Sequence, residues 1–309
     1  MGGFLAALLA DFGPAKARSA SGEPAQVGFW LALPSGVQGY LADDIKLLIG
    51  WTFDAAAAKH PFEGGESIDS ASGFERVPGF AAPAPMAALK GRYRLLRPPF
   101  DHGSGYYGLA FAVLDDGGGT VAVLLTNRLF RMPIALQDPL GFATDVVTNG
   151  AMLTGIRTGA VDDANAAAET AYADARQCSV PLVISGQSQA GGAAQLQTAY
   201  LQSRYSNAAP AGFITMNAAH VLRSVKRLGL VGEQVHGINF SKDLDPGVGP
   251  KGLFANRVGL QVYIHPDGSG SRTPGNSTLA DAMLHPREHF LDSFTNVSLT
   301  AALQSALAQ

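Results

Sequence analysis

With 309 residues, of which 47% are hydrophobic and 15% charged, the chain can bury a large core, which excludes a solvated tail or linker. A net charge of −3, a pI near 6.1 and no dense Lys/Arg cluster leave no electrostatic footprint for nucleic acid. The single cysteine, Cys178, excludes an internal disulfide and a thiolate zinc site, and its place just before an apolar run predicts an inert, half-buried thiol.

In residues 1–100, apolar clusters at 29–33 and 47–53 alternate with Pro- and Gly-rich pieces such as 77–85. The element that stands out is a helix around Leu41 to Ala58. The run Met1 to Ala10 has no basic residue ahead of it and is too short to span a bilayer, so it reads as neither a signal peptide nor an anchor. The compartment, cytoplasmic or exported, stays open. Residues 1–100 are expected to be an elaboration that packs on the main domain or forms a lid, and residues 101–309 to be the core.

From Tyr106 the pattern sharpens. Tyr106 to Leu114 and Thr120 to Leu125 flank Asp115-Asp-Gly-Gly-Gly119, which predicts a hairpin. A loop with Pro133 and Pro139 follows, then Asp145 to Asn149, which should start or lie in a helix. Asp162 and Asp163 are expected to cap an Ala-rich helix from Ala164 to about Arg176.

The most informative stretch is Val180-Pro-Leu-Val-Ile-Ser-Gly-Gln-Ser-Gln-Ala-Gly-Gly192. An apolar run with β-branched Val183 and Ile184 predicts a buried strand, and the Ala, Leu and Gln residues after Gly192 predict a helix. Strand and helix must be joined by a tight turn containing Ser188, with Gly186 and Ala190 small enough for close packing. Such an elbow projects the hydroxyl at a helix N-terminus, where the dipole and N–H groups favour a developing oxyanion. A phosphate loop would need a Lys after the glycines, and none follows Gly191 or Gly192.

Further strands are predicted at Gly212 to Asn217, Val235 to Phe240 and Val258 to Ile264. Strands alternating with helical stretches imply an α/β fold, with a mostly parallel central sheet covered by helices on both faces. Ligands of such sheets bind beyond the carboxyl ends of the strands, so polar residues that follow strands are the candidates for chemistry. A serine needs a base to take its proton and an acid to orient that base. Asp243 and Asp245 follow the strand ending at Phe240, and His265, His285 and His289 come later in the chain. The acidic pair offers too few oxygen ligands for a calcium cage, and no cofactor or metal is expected.

The segment from about Tyr106 to Phe294 resembles the bacterial and fungal class 3 lipases, α/β-hydrolases that cleave carboxylic esters. The resemblance is carried by Ser185-Gly-Gln-Ser-Gln-Ala-Gly-Gly192, similar to that family's Gly-His-Ser-Leu-Gly-Gly, by Val121 to Leu125, Asp145 to Asn149 and Arg157 to Ala160 in the family's order, by Ser241 to Pro246 with Pro250, and by His285 to Leu291. It implies the α/β-hydrolase fold and an acyl-enzyme on Ser188. Asp243 would be the acid, with Asp245 as the alternative, and His285 the base, favoured over His289. The oxyanion donors would be the N–H of Gln189 and one from near Arg128. It also implies a small-molecule or lipid ester as substrate and interfacial contact with lipid. Three departures stand out: Gln187 where His is common, Ala190 for Gly, and Thr126-Asn-Arg128 in place of the oxyanion-loop Arg-Gly-Ser/Thr. The alternatives are acyl transfer or amide hydrolysis on the same residues, or a catalytically silent hydrolase fold that binds an apolar ligand.

Overall fold

The computed structural model describes residues 25–58, 64, 89, 91–101, 103–129, 158–205, 210–245, 258–275, 281, 284–289 and 291–309. The expected segment 145–149, the turn at 157 and the prolines of the loop after Arg128 lie outside these residues.

Among the described residues, nine strands form one sheet: β1 (Tyr93–Leu95), β2 (Phe100–Asp101), β3 (Tyr107–Leu114), β4 (Thr120–Arg128), β5 (Leu182–Gln187), β6 (Ala211–Met216), β7 (Gly237–Lys242), β8 (Leu260–Ile264) and β9 (Gly270–Ser271). Their spatial order is β1-β3-β4-β5-β6-β7-β8-β9, with β2 also paired to β3. β4 to β8 run parallel, and antiparallel strands complete both edges. The β3–β4 hairpin turns as expected, because Asp115 Oδ1 accepts from the N–H groups of Gly117 (3.0 Å) and Gly119 (2.8 Å).

The main helices are α1 (Leu41–Ala58), α2 (Gly159–Cys178), α3 (Ser188–Arg204), α4 (Leu222–Arg227) and α5 (Leu299–Leu307). β4 to β7 step across the sheet in one direction, so right-handed crossovers place α2 and α3 on a single face. There they cover Val123, Leu125, Leu182, Ile184 and Phe213. The opposite face must then be covered from the chain ends. α1 and α5 do this over Phe111, Leu124, Val183, Ile214 and Phe240. Alternate residues along β4 and β5 feed the two cores, as a pleated strand buried on both faces requires. The result is the α/β architecture read from the sequence, and α1 shares one core with the sheet.

Two local expectations are corrected. α2 starts five residues earlier than predicted because Thr158 is its N-cap, its side chain accepting from Val161 N–H at 3.4 Å, while Asp162 lies in the first turn. The helix also runs on to Cys178, which is therefore exposed at its end rather than half-buried before the strand.

Candidate active site

β5 ends at Gln187 and α3 begins at Ser188, so strand passes to helix with no intervening loop. The reversal gives Ser188 a φ of +55°, a left-handed conformation that costs a non-glycine residue on the order of 1–3 kcal/mol. Small neighbours make it possible. A Cβ on Gly186 would lie 2.5 Å from the backbone carbon and oxygen of Ala190, and one on Gly191 would lie 2.8 Å from the Ala218 Cβ. Ser188 itself is partly exposed at the carboxyl end of the parallel strands.

A buried polar network supports the elbow from behind. Asn127 Nδ2 donates to the Ser185 carbonyl (3.0 Å) and to Gln197 Oε1 (2.8 Å), and its Oδ1 accepts from the Tyr106 hydroxyl (2.7 Å). Gln197 in turn donates to the Ala164 carbonyl at 2.6 Å, which ties α2 and α3 to β4 and β5. Burial raises the Tyr106 phenol well above its ordinary value, so it stays a neutral donor. Thr126 pairs with Thr52 of α1 at 2.6 Å. In the segment 126–128, then, two of three side chains serve the scaffold, and Arg128 ends β4 on the strand next to the elbow.

The imidazole beside Ser188 belongs to His289. Its Nε2 lies 2.8 Å from Ser188 Oγ, and its Nδ1 lies 3.0 Å from Asp245 Oδ2. The Asp245 side chain is fully buried, while that of His289 is 28% exposed, so the carboxylate is shielded and the imidazole can be reached. His289 sits in a short 3-10 helix, Pro286–His289, and Asp245 in the loop after β7.

The structure does not bring the other sequence-favoured pair to Ser188. His285 is exposed at the start of the same turn. Asp243 meets Nδ1 of His265 and accepts from the Gly275 N–H at 3.0 Å. The physical reason is the turn at Asp243 and Leu244, which separates the two carboxylates and sends each to a different histidine. Ser271 completes a second set of the same residue types, with Oγ 2.8 Å from His265 Nε2. Its proton, however, goes to the Thr273 carbonyl at 2.5 Å, and the residue is buried on β9. That set staples the β8–β9 hairpin to the loop after β7.

No family model and no curated protein matches the sequence. Among solved structures the chain is similar to a Rhizomucor miehei lipase propeptide complex, at 11% identity and TM-score 0.48, covering 96% of this chain and 94% of that one. It is also similar to a lipase from Rhizopus microsporus var. chinensis, at 14% identity and TM-score 0.42, covering 84% and 91%. A third is the extracellular lipase LipA from Serratia marcescens, at 13% identity and TM-score 0.37, covering 66% of this chain and 40% of that one. With values this low, what the site can do rests on its own distances.

Proposed function

We propose that the chain is a serine hydrolase of the lipase or esterase type, cleaving carboxylic esters through an acyl-enzyme on Ser188. His289 is the base in this reading and Asp245 the acid. The observation that carries it is the continuous set of contacts from Ser188 Oγ through the His289 ring to the buried Asp245 carboxylate, built on a strained strand-to-helix turn.

Ser188 Oγ attacks the ester carbonyl carbon while its proton passes to His289 Nε2. Asp245 holds the ring tautomer and stabilises its positive charge. The tetrahedral oxyanion takes the N–H of Gln189 in the first turn of α3, with a second donor from near Arg128. A donor of this kind is worth about 10²–10³ in rate. His289 then returns the proton to the leaving alcohol. Water repeats the sequence on the acyl-enzyme, releasing the acid and restoring Ser188.

A small neutral ester or a lipid ester suits a surface with little net charge. An assembled set of contacts supports a working enzyme over a silent fold that only binds an apolar ligand. The test is Ser188→Ala assayed on a short-chain nitrophenyl ester, where turnover should fall by about 10⁴ or more. A fluorophosphonate should label the parent protein at Ser188. Near-parental turnover in the folded variant, or a parent inert to the probe, would overturn the proposal.

A further inference from the structure

Two primary amides hold the turn that carries His289, and both bond to its backbone carbonyls rather than to its ring. Gln187, immediately before Ser188, donates from Nε2 to the His289 carbonyl at 2.6 Å. Asn217, just past the end of β6, donates from Nδ2 to the Glu288 carbonyl at 2.8 Å and to the His289 carbonyl at 3.3 Å. Its Oδ1 accepts from the Lys242 N–H at 3.0 Å. Carbonyls only accept and a backbone N–H only donates, so the orientation of the Asn217 amide follows from its partners.

These bonds link the three parts of the site through the main chain. Gln187 connects the nucleophile's strand to the base's turn. Asn217 connects the same turn to Lys242, the last residue of β7, three positions before Asp245. A salt bridge of 3.2 Å between Lys242 Nζ and Glu288 Oε2 runs alongside it.

Both side chains are polar and buried, so each needs partners inside the protein. Gln187 is only 1% exposed, and its Oε1 is buried with no hydrogen-bond partner among the described residues. Asn217 is fully buried and adopts a φ of +44°. In each case the Nδ2 or Nε2 donor ends on the turn of His289.

We infer that Gln187 and Asn217 are positioning residues that set the distance between Ser188 Oγ and His289 Nε2 by clamping the backbone of residues 288–289. This rests on the ester-hydrolase reading, with Ser188 and His289 in the roles given above. The clamp acts on the proton transfer and not on the substrate, so its loss lowers kcat and leaves KM nearly unchanged. Displacing a reacting group by an ångström costs about 10²-fold in rate.

The experiment compares the parent with Gln187→Met and Asn217→Gly, the latter chosen because glycine accepts a positive φ. Three quantities are read on folded protein: kcat and KM for a short-chain nitrophenyl ester, the rate of fluorophosphonate labelling of Ser188, and the melting temperature. Each variant should lose roughly 10- to 100-fold in kcat and in labelling rate together, with KM within about threefold. A merely structural role would lower the melting temperature and leave kcat per folded molecule unchanged, and that result overturns the clamp while the catalytic reading stands. A parent protein that neither labels nor turns over removes both. Asn217→Asp, isosteric and without the donor, gives a third variant with the same expected loss should either of the others fail to fold.

Discussion

Asp243 and Asp245 stand two residues apart in one loop, yet the first meets His265 and the second meets His289. One carboxylate therefore staples a hairpin and the other faces the candidate base. Replacing each tests that division.

Asp245→Asn should leave the fold in place and cut kcat by about 10⁴, because an amide at Nδ1 can favour the wrong imidazole tautomer. Asp243→Asn should keep kcat within about tenfold and instead lose about 1.5–3 kcal/mol of stability, the worth of a hydrogen bond to a charged group. Urea unfolding and ester turnover on both variants separate the two effects. The reverse pattern would return the catalytic role to Asp243.

The elbow is equally exposed to a single methyl group. Alanine at 186 would place its Cβ 2.5 Å from the Ala190 carbonyl carbon and oxygen and 2.8 Å from the Gly191 nitrogen, all of them backbone atoms with no rotamer to change. Gly186→Ala should cost about 1–3 kcal/mol or more by overpacking, read as a lower urea midpoint at constant slope. Turnover should fall as well, since the backbone that has to move carries Ser188.

How much of this was legible in the sequence follows from the distance between interacting residues. The strand, turn and helix around Ser188 are contiguous, so local pattern sufficed to find them. Asp243 and Asp245 were both visible as candidates, as were His285 and His289. Choosing within each pair required knowing that the chain turns at Asp243 and that His265, on a different strand end, claims the first carboxylate. The roles of Gln187 and Asn217 were hidden for the same reason, because their bonds cross 102 and 71 residues. One signal was available: Gln187 departs from the residue common at its position in the resembled family. Residues 41–58 were legible as a helix but not as half of a core, since their partners on β4 come some seventy residues later.

α1 also fixes the end of the chain. Asp43 accepts from the Leu299 N–H (2.7 Å) at the start of α5 and forms a salt bridge of 2.9 Å with Lys46, whose ammonium group donates to the Val297 carbonyl at 2.6 Å. Burial acts to raise the Asp43 pKa, but the Lys46 hydrogen bond and charge, with the Leu299 N–H, outweigh it and hold the carboxyl below its ordinary value. A depressed acid contributes stability above its unfolded value, about 3.9, and loses it as pH falls through the folded value. Asp43→Asn should thus melt below the parent at pH 7, and the gap should close as pH drops below about 4. Asp44, buried beside it, is shifted upward by burial and contributes with the opposite sign, so the variant difference is the informative quantity. A gap that widens in acid would refute the assignment.

Residues 25–38 join the core through Val27, Phe29, Trp30, Leu33 and Val37. They form short helical turns at Gly28–Leu31 and Ser35–Gln38, and the Phe29 ring lies where a side chain on Gly212 of β6 would have to go. Phe29 is fully buried, so Phe29→Ala should cost about 3–5 kcal/mol through lost burial and the cavity left behind. Gly212→Ala alone should cost about 1–3 kcal/mol, because its methyl group would meet that ring. Together the two should cost less than their sum by about 0.5–3 kcal/mol, since the new methyl group enters the space the ring has left. A double-mutant cycle by urea unfolding measures this coupling. Strict additivity would mean that Phe29 does not press on β6 in solution, and that the N-terminal turns contribute to stability somewhere other than against this strand.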